Sequence, residues 1–384
     1  MKLQDRRLKS GREEAIWRLR AYATFLWLLF APRTYFCSEV EMELIDAMRR
    51  ANQISISGLG LTFPNPIVGA VILSANGEFI SEGFHARENE NSVAEHAEVV
   101  ALKAAGDRAR GATLLVTLEP CNHHGKTPPC TDAIIRAGIS RVIYALDDPH
   151  DIAHGGAAKL KAQGIDIQSG LCAQEVKEAN RAWLHKILRK RSFVTAKVAA
   201  TIDGYIAASD GSSKWITSQE SRRDVYRLRH EMDAVITGTG TVATDNPRLT
   251  VRELSDIRHQ PERIIVGRRP LDTSAMIFNS DAKTTRIATR NLDEVMQYCF
   301  EQGFNNVLLE AGPTLTTAFI SAGLIDELFI YQAPTILGSG LKMIDDLGIQ
   351  NLSDRRDFKL KEASVLGEAQ GANTRIHLIA AGVN

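Results

Sequence analysis

Aromatic residues make up only 6% of this 384-residue chain, too few for the stacking surfaces that hold single-stranded nucleic acid. Cysteine is scarce. Cys37, Cys121, Cys130, Cys172 and Cys299 are too sparse and too unevenly spaced for a disulfide framework, and a reducing cytoplasm is the expected location. Net charge is absent, since 46 Lys and Arg balance 46 Asp and Glu. No global field draws the chain to DNA or to an anionic membrane, so an anionic ligand must be gripped by a few local cations. The N-terminal segment lacks a membrane-spanning run: Ala21 to Ala31, behind the basic stretch Lys2 to Arg20, offers eleven residues before Pro32, where a bilayer needs about 20. Phe36-Cys37-Ser38 is also a poor cleavage site for an export signal. Residues 1–40 are therefore read as an extension, either a targeting segment or sequence upstream of a true start near Met42, and no stable membrane association is expected. Also missing is a G-x-G-x-x-G that opens a helix with an acidic residue about twenty further on, so a dinucleotide site of that kind has no support. Gly238-Thr-Gly240 by itself reads as a turn.

What is present fits a soluble globular chain, 44% hydrophobic and 24% charged, and at about 150 residues per domain its length suggests two domains. Leu44, Ile45 and Met48 recur at helical spacing and predict a helix over 40–52. The apolar run Ile67 to Leu73, the turn Asn76-Gly77 and the stretch Glu78 to His85 predict a hairpin. Helices over 96–105, 130–137 and 155–163 then alternate with strands over 113–118, 141–146 and 165–167, which is the pattern of an α/β sheet covered by helices. A charged helix over 173–191 is predicted next, followed by a strand from Phe193 to Ala199. The domain boundary is placed there, giving an extension (1–40), a first domain (41–189) and a second (190–384). The second half alternates again: helices over 219–230, 293–302 and 314–322, and strands over 233–238, 263–266, 306–309 and 327–332. Gly303 and Gly312-Pro313 punctuate it as helix stop and start.

The chemistry of the first half gathers around His96-Ala97-Glu98, Pro120-Cys121 and Cys130. One imidazole and two thiolates leave the fourth tetrahedral position of a zinc ion open, which marks a catalytic site; the alternatives are a closed Cys₂His₂ site that uses His123 or His124, or no metal at all. A neighbouring carboxylate that is not a ligand must then carry protons, and Glu98 is the candidate. Residues i and i+2 lie about 200° apart around a helix, so His96 and Glu98 share a site only if the helix begins there and presents its end to the metal. Pro128-Pro129 likewise starts a helix whose positive end favours a thiolate at Cys130. The zinc-deaminase signature H-x-E…P-C-x-x-C is matched except that eight residues, instead of two, separate the cysteines.

Those residues, with Thr117 to Cys130 and Asn65-Pro-Ile-Val-Gly-Ala70, resemble the bifunctional riboflavin biosynthesis deaminase/reductase (RibD) family over residues 42–380. In the second half the likeness is carried by Thr201-Ile-Asp-Gly204, Ser213-Lys-Trp-Ile-Thr217, Thr241 to Thr250 and Glu310 to Leu315. The resemblance implies a cytidine-deaminase-like zinc domain followed by a dihydrofolate-reductase-like α/β domain that uses NADPH. It implies hydrolytic loss of the 2-amino group from the diaminopyrimidinone ribosylamino phosphate, with Zn²⁺ held by His96, Cys121 and Cys130 and with Glu98 as the proton shuttle. Reduction of the ribosyl group to ribityl would follow. Asn65, His85 and Lys126 would contact the deaminase substrate. Ala199, Trp215, Thr241, Asp245 and the segment Gly312, Pro313, Thr314, Leu315, Thr316, Thr317 and Ala318 would contact the nucleotide. Ser213, Arg229, Leu249, Arg252 and Glu310 would contact the reductase substrate, the two arginines as forks for its phosphate.

Three departures from the family's pattern stand out: a long loop at 88–93, Glu95 in place of the proline before the histidine ligand, and Gly267-Arg268-Arg269 where an acidic residue and a serine are usual. Arg268 and Arg269 are candidates for the 2′-phosphate of NADPH. The expected partner is a small phosphorylated pyrimidine, with no nucleic acid, and the enzyme is expected to be a homo-oligomer. Two rival readings are a monofunctional deaminase with a structural second half and a membrane-associated binding protein using the N-terminal run. Once the basic extension is set aside, the remainder is slightly acidic, so phosphate recognition would rest on Lys126, Arg229, Arg252 and Arg268.

Overall fold

Strands buried on both faces must be apolar throughout instead of alternating, and this is how Gly69–Leu73 (β1) reads in the computed structural model, with all five residues buried. The structure describes residues 42–85, 95–123, 128–149, 155–368 and 371–381. The 1–40 extension, the 88–93 loop and Lys126 lie outside the described residues. Phe79–Phe84 (β2), Thr113–Leu118 (β3), Arg141–Leu146 (β4) and Asp166–Ser169 (β5) complete a five-stranded sheet in the order β2-β1-β3-β4-β5. β1 runs antiparallel to both neighbours, and β3, β4 and β5 are parallel. One face packs Ile72, Leu114, Val116 and Val142 against the helices Ala97–Ala105 (α2), Cys130–Ala137 (α3) and Gly156–Ala162 (α4). The other packs Val71, Leu115 and Ile143 against Leu44–Ser55 (α1) and Ala173–Ala179 (α5).

The expected stripe on the first helix is turned from its predicted position. Met48 is buried, but Ile45 is exposed, and the inward face is Ala47, Met48, Ala51 and Ile54. The small residues let α1 lie directly on β1: a Cβ at Gly69 would come within 1.9 Å of the Ala51 carbonyl oxygen.

The helix expected over 173–191 is two helices, α5 and Arg181–Arg189 (α6), broken at Asn180. The buried Asn180 side chain accepts the Ile67 N–H (3.1 Å) and donates to the Ile67 carbonyl (3.0 Å). A side-chain amide carries the same donor and acceptor as a peptide group, so Asn180 docks on Ile67 as a neighbouring strand would. Helical periodicity holds no trace of such a demand.

After Lys190 the chain enters Phe193–Thr201 (β6), and a second sheet of eight strands follows. Its further members are Ala234–Gly238 (β8), Glu262–Val266 (β9), Thr284–Ile287 (β10), Asn306–Leu309 (β11), Glu327–Ala333 (β12), Phe358–Leu366 (β14) and Asn373–Ala380 (β15), in the order β10-β9-β8-β11-β6-β12-β15-β14. Strands β10 to β12 in that order are parallel, and β15 and β14 close the edge antiparallel. A small pair, Tyr205–Ala207 (β7) with Leu341–Lys342 (β13), lies apart. Helices Gln219–His230 (α7), Leu292–Glu301 (α9) and Pro313–Ser321 (α10) fall where helices were predicted, whereas Thr239–Asp245 (α8) begins inside the Gly238-Thr-Gly240 expected to be a plain turn. β10, β14 and β15 carry no sequence signal strong enough to anticipate. β14 is largely exposed along its length, so it needs no apolar run. Among the described residues no helix is long and apolar enough to cross a membrane.

Replacing Asn180 with alanine leaves the Ile67 N–H and carbonyl buried without partners, at a cost of about 2 kcal/mol. The variant should unfold at a lower temperature by calorimetry, and an unchanged midpoint would contradict the role given to this amide.

Candidate metal centre and strand-end site

Two helix starts and one strand end meet at the first site. His96 caps α2 with extended backbone (φ −74°, ψ 150°), and Cys130 is the first residue of α3, after Pro129. Cys121 follows the end of β3 by three residues. The three ligand atoms lie within 4.8 Å of one another. His96 Nδ1 is 3.1 Å from Cys130 Sγ and 3.5 Å from Cys121 Sγ. Tetrahedral zinc, with bonds of about 2.0 Å to nitrogen and about 2.3 Å to sulfur, spaces such atoms about 3.6 Å apart, so the residues fit the ion. The Cys130 backbone N–H also points at Cys121 Sγ (3.4 Å), an arrangement that favours sulfur in its anionic form. Without a cation the two sulfurs divide a proton unevenly. The Cys130 hydrogen bond holds Cys121 down at about 4 against burial, while the same bond and burial push Cys130 up. His123 is not part of the ligand group among the described residues.

Glu98, at the second position of α2, is buried against these groups. Burial pushes its carboxyl up, outweighing the pull of His96. A carboxyl so raised holds a proton more readily than a free carboxylate and can hand it on. Glu95, which stands where the family has proline, leaves the helix start intact. Its carbonyl faces His85 Nδ1 (2.8 Å) and its carboxylate pairs with Lys103. Because a carbonyl only accepts, His85 Nδ1 carries the proton, and Nε2 is left to face the Asn65 amide nitrogen at 3.4 Å. The His85 ring meets the His96 ring edge-on, 5.3 Å between centroids. Asn65 and His85 thus stand together beside the ligand set.

Two supporting residues escaped sequence reasoning. Glu119 Oε1 accepts the backbone N–H groups of Gly155 (3.2 Å) and Ala157 (2.9 Å). Gly156 lies so close that a Cβ would come within 1.8 Å of the Pro120 oxygen. Together they hold the turn that presents Cys121. Glu119 sits within the Thr117–Cys130 motif, but nothing in its local sequence says what it binds.

The second site lies at the carboxyl ends of parallel strands, where open α/β sheets place ligands. Glu310 follows β11 directly and is buried. Arg229 grips both its oxygens and also donates to the Thr250 carbonyl (3.0 Å). The fork expected for a phosphate is therefore committed to a carboxylate. Lys197 Nζ lies 2.9 Å from the second Glu310 oxygen; its place on β6, amid an apolar run, hid it from sequence reasoning. Arg252 is exposed and donates to the Tyr226 hydroxyl (2.9 Å), and the Arg229 and Arg252 guanidinium groups both lie near the Tyr226 ring. Leu249 is buried at φ 51° beside them.

On the nucleotide side, Gly312 caps α10 and donates to Thr241 Oγ1 (3.1 Å), joining the starts of α8 and α10. The side chains of Thr314 and Thr317 turn to Asp345, and that of Thr316 to the Ala311 carbonyl. What this segment offers a phosphate is its backbone N–H groups, a donor set that suits a dinucleotide. Trp215 is 69% exposed, under the Arg222 guanidinium, and is no core residue. Ser213 and Ala199 are partly exposed. Burial raises the Asp245 carboxyl against the pull of Lys214 and Lys197. Arg268 and Arg269 are exposed, and their carbonyls accept from Arg286.

Burial would raise the Glu310 carboxyl, yet Arg229 and Lys197 outweigh it and hold it at about 2, below its ordinary 4.5. A depressed carboxyl stabilises the fold fully above its unfolded value and loses that contribution as pH falls towards the folded one, here about 3 kcal/mol between roughly pH 4.5 and 2. Urea midpoints measured across this window should fall more steeply for the native chain than for Glu310→Gln. Parallel slopes would contradict the pairing.

Comparison with known proteins agrees with this geometry. The family described as the cytidine and deoxycytidylate deaminase zinc-binding region matches residues 42–146, and the RibD C-terminal domain matches residues 192–370. The riboflavin biosynthesis protein RibD of Mycobacterium tuberculosis is 42% identical over 326 residues, 84% of this chain and 94% of that protein. RibD of Escherichia coli is 37% identical over 370 residues, 87% of this chain and 98% of that protein. Among solved structures, the Thermotoga maritima diaminohydroxyphosphoribosylaminopyrimidine deaminase/5-amino-6-(5-phosphoribosylamino)uracil reductase superposes with a TM-score of 0.79 at 32% identity, covering 88% of this chain and 98% of that one. Acinetobacter baumannii RibD superposes with a TM-score of 0.78 at 35% identity, covering 87% and 98%. This chain belongs to the RibD family, bifunctional riboflavin biosynthesis enzymes that join a zinc-dependent pyrimidine deaminase to an NADPH-dependent reductase.

Proposed function

We propose that residues 41–189 carry the deamination and residues 190–384 the reduction, through the side chains gathered at the two sites. The observation that carries this reading is the convergence of His96 Nδ1, Cys121 Sγ and Cys130 Sγ at two helix starts, with the buried Glu98 beside them. Zinc in that position supplies a water activated for attack at neutral pH. His96, Cys121 and Cys130 hold the ion, and Glu98 accepts the proton the water gives up. Glu98 gives that proton to the pyrimidine ring nitrogen, then takes a second from the hydroxyl now bonded to carbon and gives it to the amine, which departs as ammonia. Asn65 and His85 hold the ring of the 2,5-diamino-6-ribosylaminopyrimidinone phosphate, and Lys126 its phosphate.

In the second half NADPH supplies the hydride that turns the ribosyl group into ribityl. Glu310, fixed by Arg229 and Lys197, orients the deaminated pyrimidine; Ser213, Leu249 and Arg252 complete that site. With Arg229 committed to Glu310, Arg252 is the arginine left to reach the substrate phosphate. The backbone from Gly312 to Ala318, with Ala199, Trp215, Thr241 and Asp245, receives the nucleotide, and Arg268 and Arg269 its 2′-phosphate. A carboxylate held ionised where open α/β sheets bind their ligands supports a working second site. We further infer a cytoplasmic enzyme without a nucleic-acid partner, a reading supported by balanced charge and scarce cysteine. A homo-oligomer is supported by the exposed Leu360 and Val365 on the edge strand β14.

A Glu98→Gln variant should retain one zinc per chain by metal analysis and lose ammonia release by at least about a hundredfold, while still oxidising NADPH when given the deaminated pyrimidine. Loss of zinc, or undiminished ammonia release, would refute the role of Glu98. Alanine at both Arg268 and Arg269 should raise the KM for NADPH several-fold and leave that for NADH nearly unchanged; an equal effect on both would remove these arginines from the 2′-phosphate site.

A further inference from the structure

The loop that brings Asn65 to the metal centre is held from the other half of the chain. Asn305, immediately before β11, is buried and satisfied at every polar group. Its backbone N–H donates to Asp233 (2.7 Å), and its carbonyl accepts from Phe193 (2.9 Å). Its side-chain oxygen accepts from Lys186 Nζ (2.8 Å), and its amide nitrogen donates to the backbone carbonyl of Asn65 (2.9 Å). That orientation is forced, because an ammonium can only donate and a carbonyl can only accept. Around this bond Phe63 packs edge-on against Phe304, 5.4 Å between centroids, and Gly303 lies so near Pro64 that a Cβ would stand 3.0 Å from the proline Cβ. Lys186 Nζ also donates to the Gly303 carbonyl (2.6 Å). On the far side of the loop, Asn180 grips Ile67. The backbone from 63 to 67 is thus fixed from two sides, while the Asn65 residue itself is exposed and its side chain faces His85, next to the ligand His96.

We propose that Asn305, a residue of the reductase half, is a positioning residue for deamination: its hydrogen bond to the Asn65 carbonyl sets the reach of the Asn65 side chain towards the pyrimidine. The inference rests on the reading that Asn65 contacts the deaminase substrate. Asn305 touches neither zinc nor substrate. It acts on substrate binding through one backbone carbonyl, so its loss bears on KM more than on the chemical step.

The test is steady-state kinetics on the full-length zinc enzyme. Asn305→Asp keeps the size of the side chain and the acceptor for Lys186 but turns an oxygen towards the Asn65 carbonyl. Losing one hydrogen bond and facing two acceptors should raise the deaminase KM about tenfold. The deaminase kcat should stay within about twofold, zinc should remain at one per chain, and the reductase constants with the deaminated pyrimidine should not change. Asn305→Ala, which removes the bond without the repulsion, should move KM in the same direction and serves if the aspartate variant does not fold. In an Asn65→Ala background, Asn305→Asp should add no further change in KM, as expected for two residues acting through one contact. A raised KM in Asn65→Ala with an unchanged KM in both Asn305 variants would overturn the positioning role alone. An unchanged KM in Asn65→Ala would overturn the underlying reading of Asn65 and this inference with it. Equal losses in both activities would mark Asn305 as general structural support and likewise overturn the proposal.

Discussion

Both sites depend on one constraint, the turn into a helix that begins beside the carboxyl end of a buried strand. Such a turn leaves the first N–H groups of the helix without partners and aims them, with the positive end of the helix dipole, at whatever lies beyond the strand ends. In the first half that environment receives two sulfurs, one at the start of α3 and the other just past β3. In the second half it joins the starts of α8 and α10 through the Thr241–Gly312 hydrogen bond. The sheet supplies rigidity, and the helix starts supply a preference for negative charge.

Within that frame, two buried glutamates are driven in opposite directions by what stands next to them. Among the described residues Glu98 has a histidine and two sulfurs beside it, and burial dominates, so its proton is held more tightly. Glu310 is just as enclosed but lies between Arg229 and Lys197, which keep it ionised down to about 2. The first arrangement suits a group that must exchange a proton. The second suits a fixed charge, and it commits both forks of Arg229 to a carboxylate. A guanidinium with both forks on a carboxylate and a third contact on a backbone carbonyl has little left to offer a phosphate.

The two halves share more than a covalent link. α6, which leads from the first sheet to the second, brings Lys186 to the carbonyls of Gly303 and the side chain of Asn305. From Asn305, β11 runs directly to Glu310. One short strand therefore has the Asn65 loop of the first site at its beginning and the carboxylate of the second at its end.

Most of the helices and the buried strands are legible in the sequence because an apolar run or a 3.6-residue stripe is a local requirement of burial. The segments Thr113–Leu118, Cys130–Ala137 and Arg141–Leu146 fall where that reasoning places them. The cluster of His96, Cys121 and Cys130 is legible for a similar reason: a histidine and two cysteines at helix starts and a strand end form a set that could hold a metal ion, and Glu98 is named by its distance from His96. Edge strands such as β14 are silent because an exposed strand needs no pattern. The break at Asn180, the clamp of Glu119 and Gly156 on the Pro120 turn, the Lys197–Glu310–Arg229 network and the Asn305 bond to Asn65 were decided by tertiary structure alone. Each joins residues between about 35 and 240 positions apart. A polar side chain shows its type in the sequence but not its partner, and only the folded chain settles which buried donor meets which acceptor.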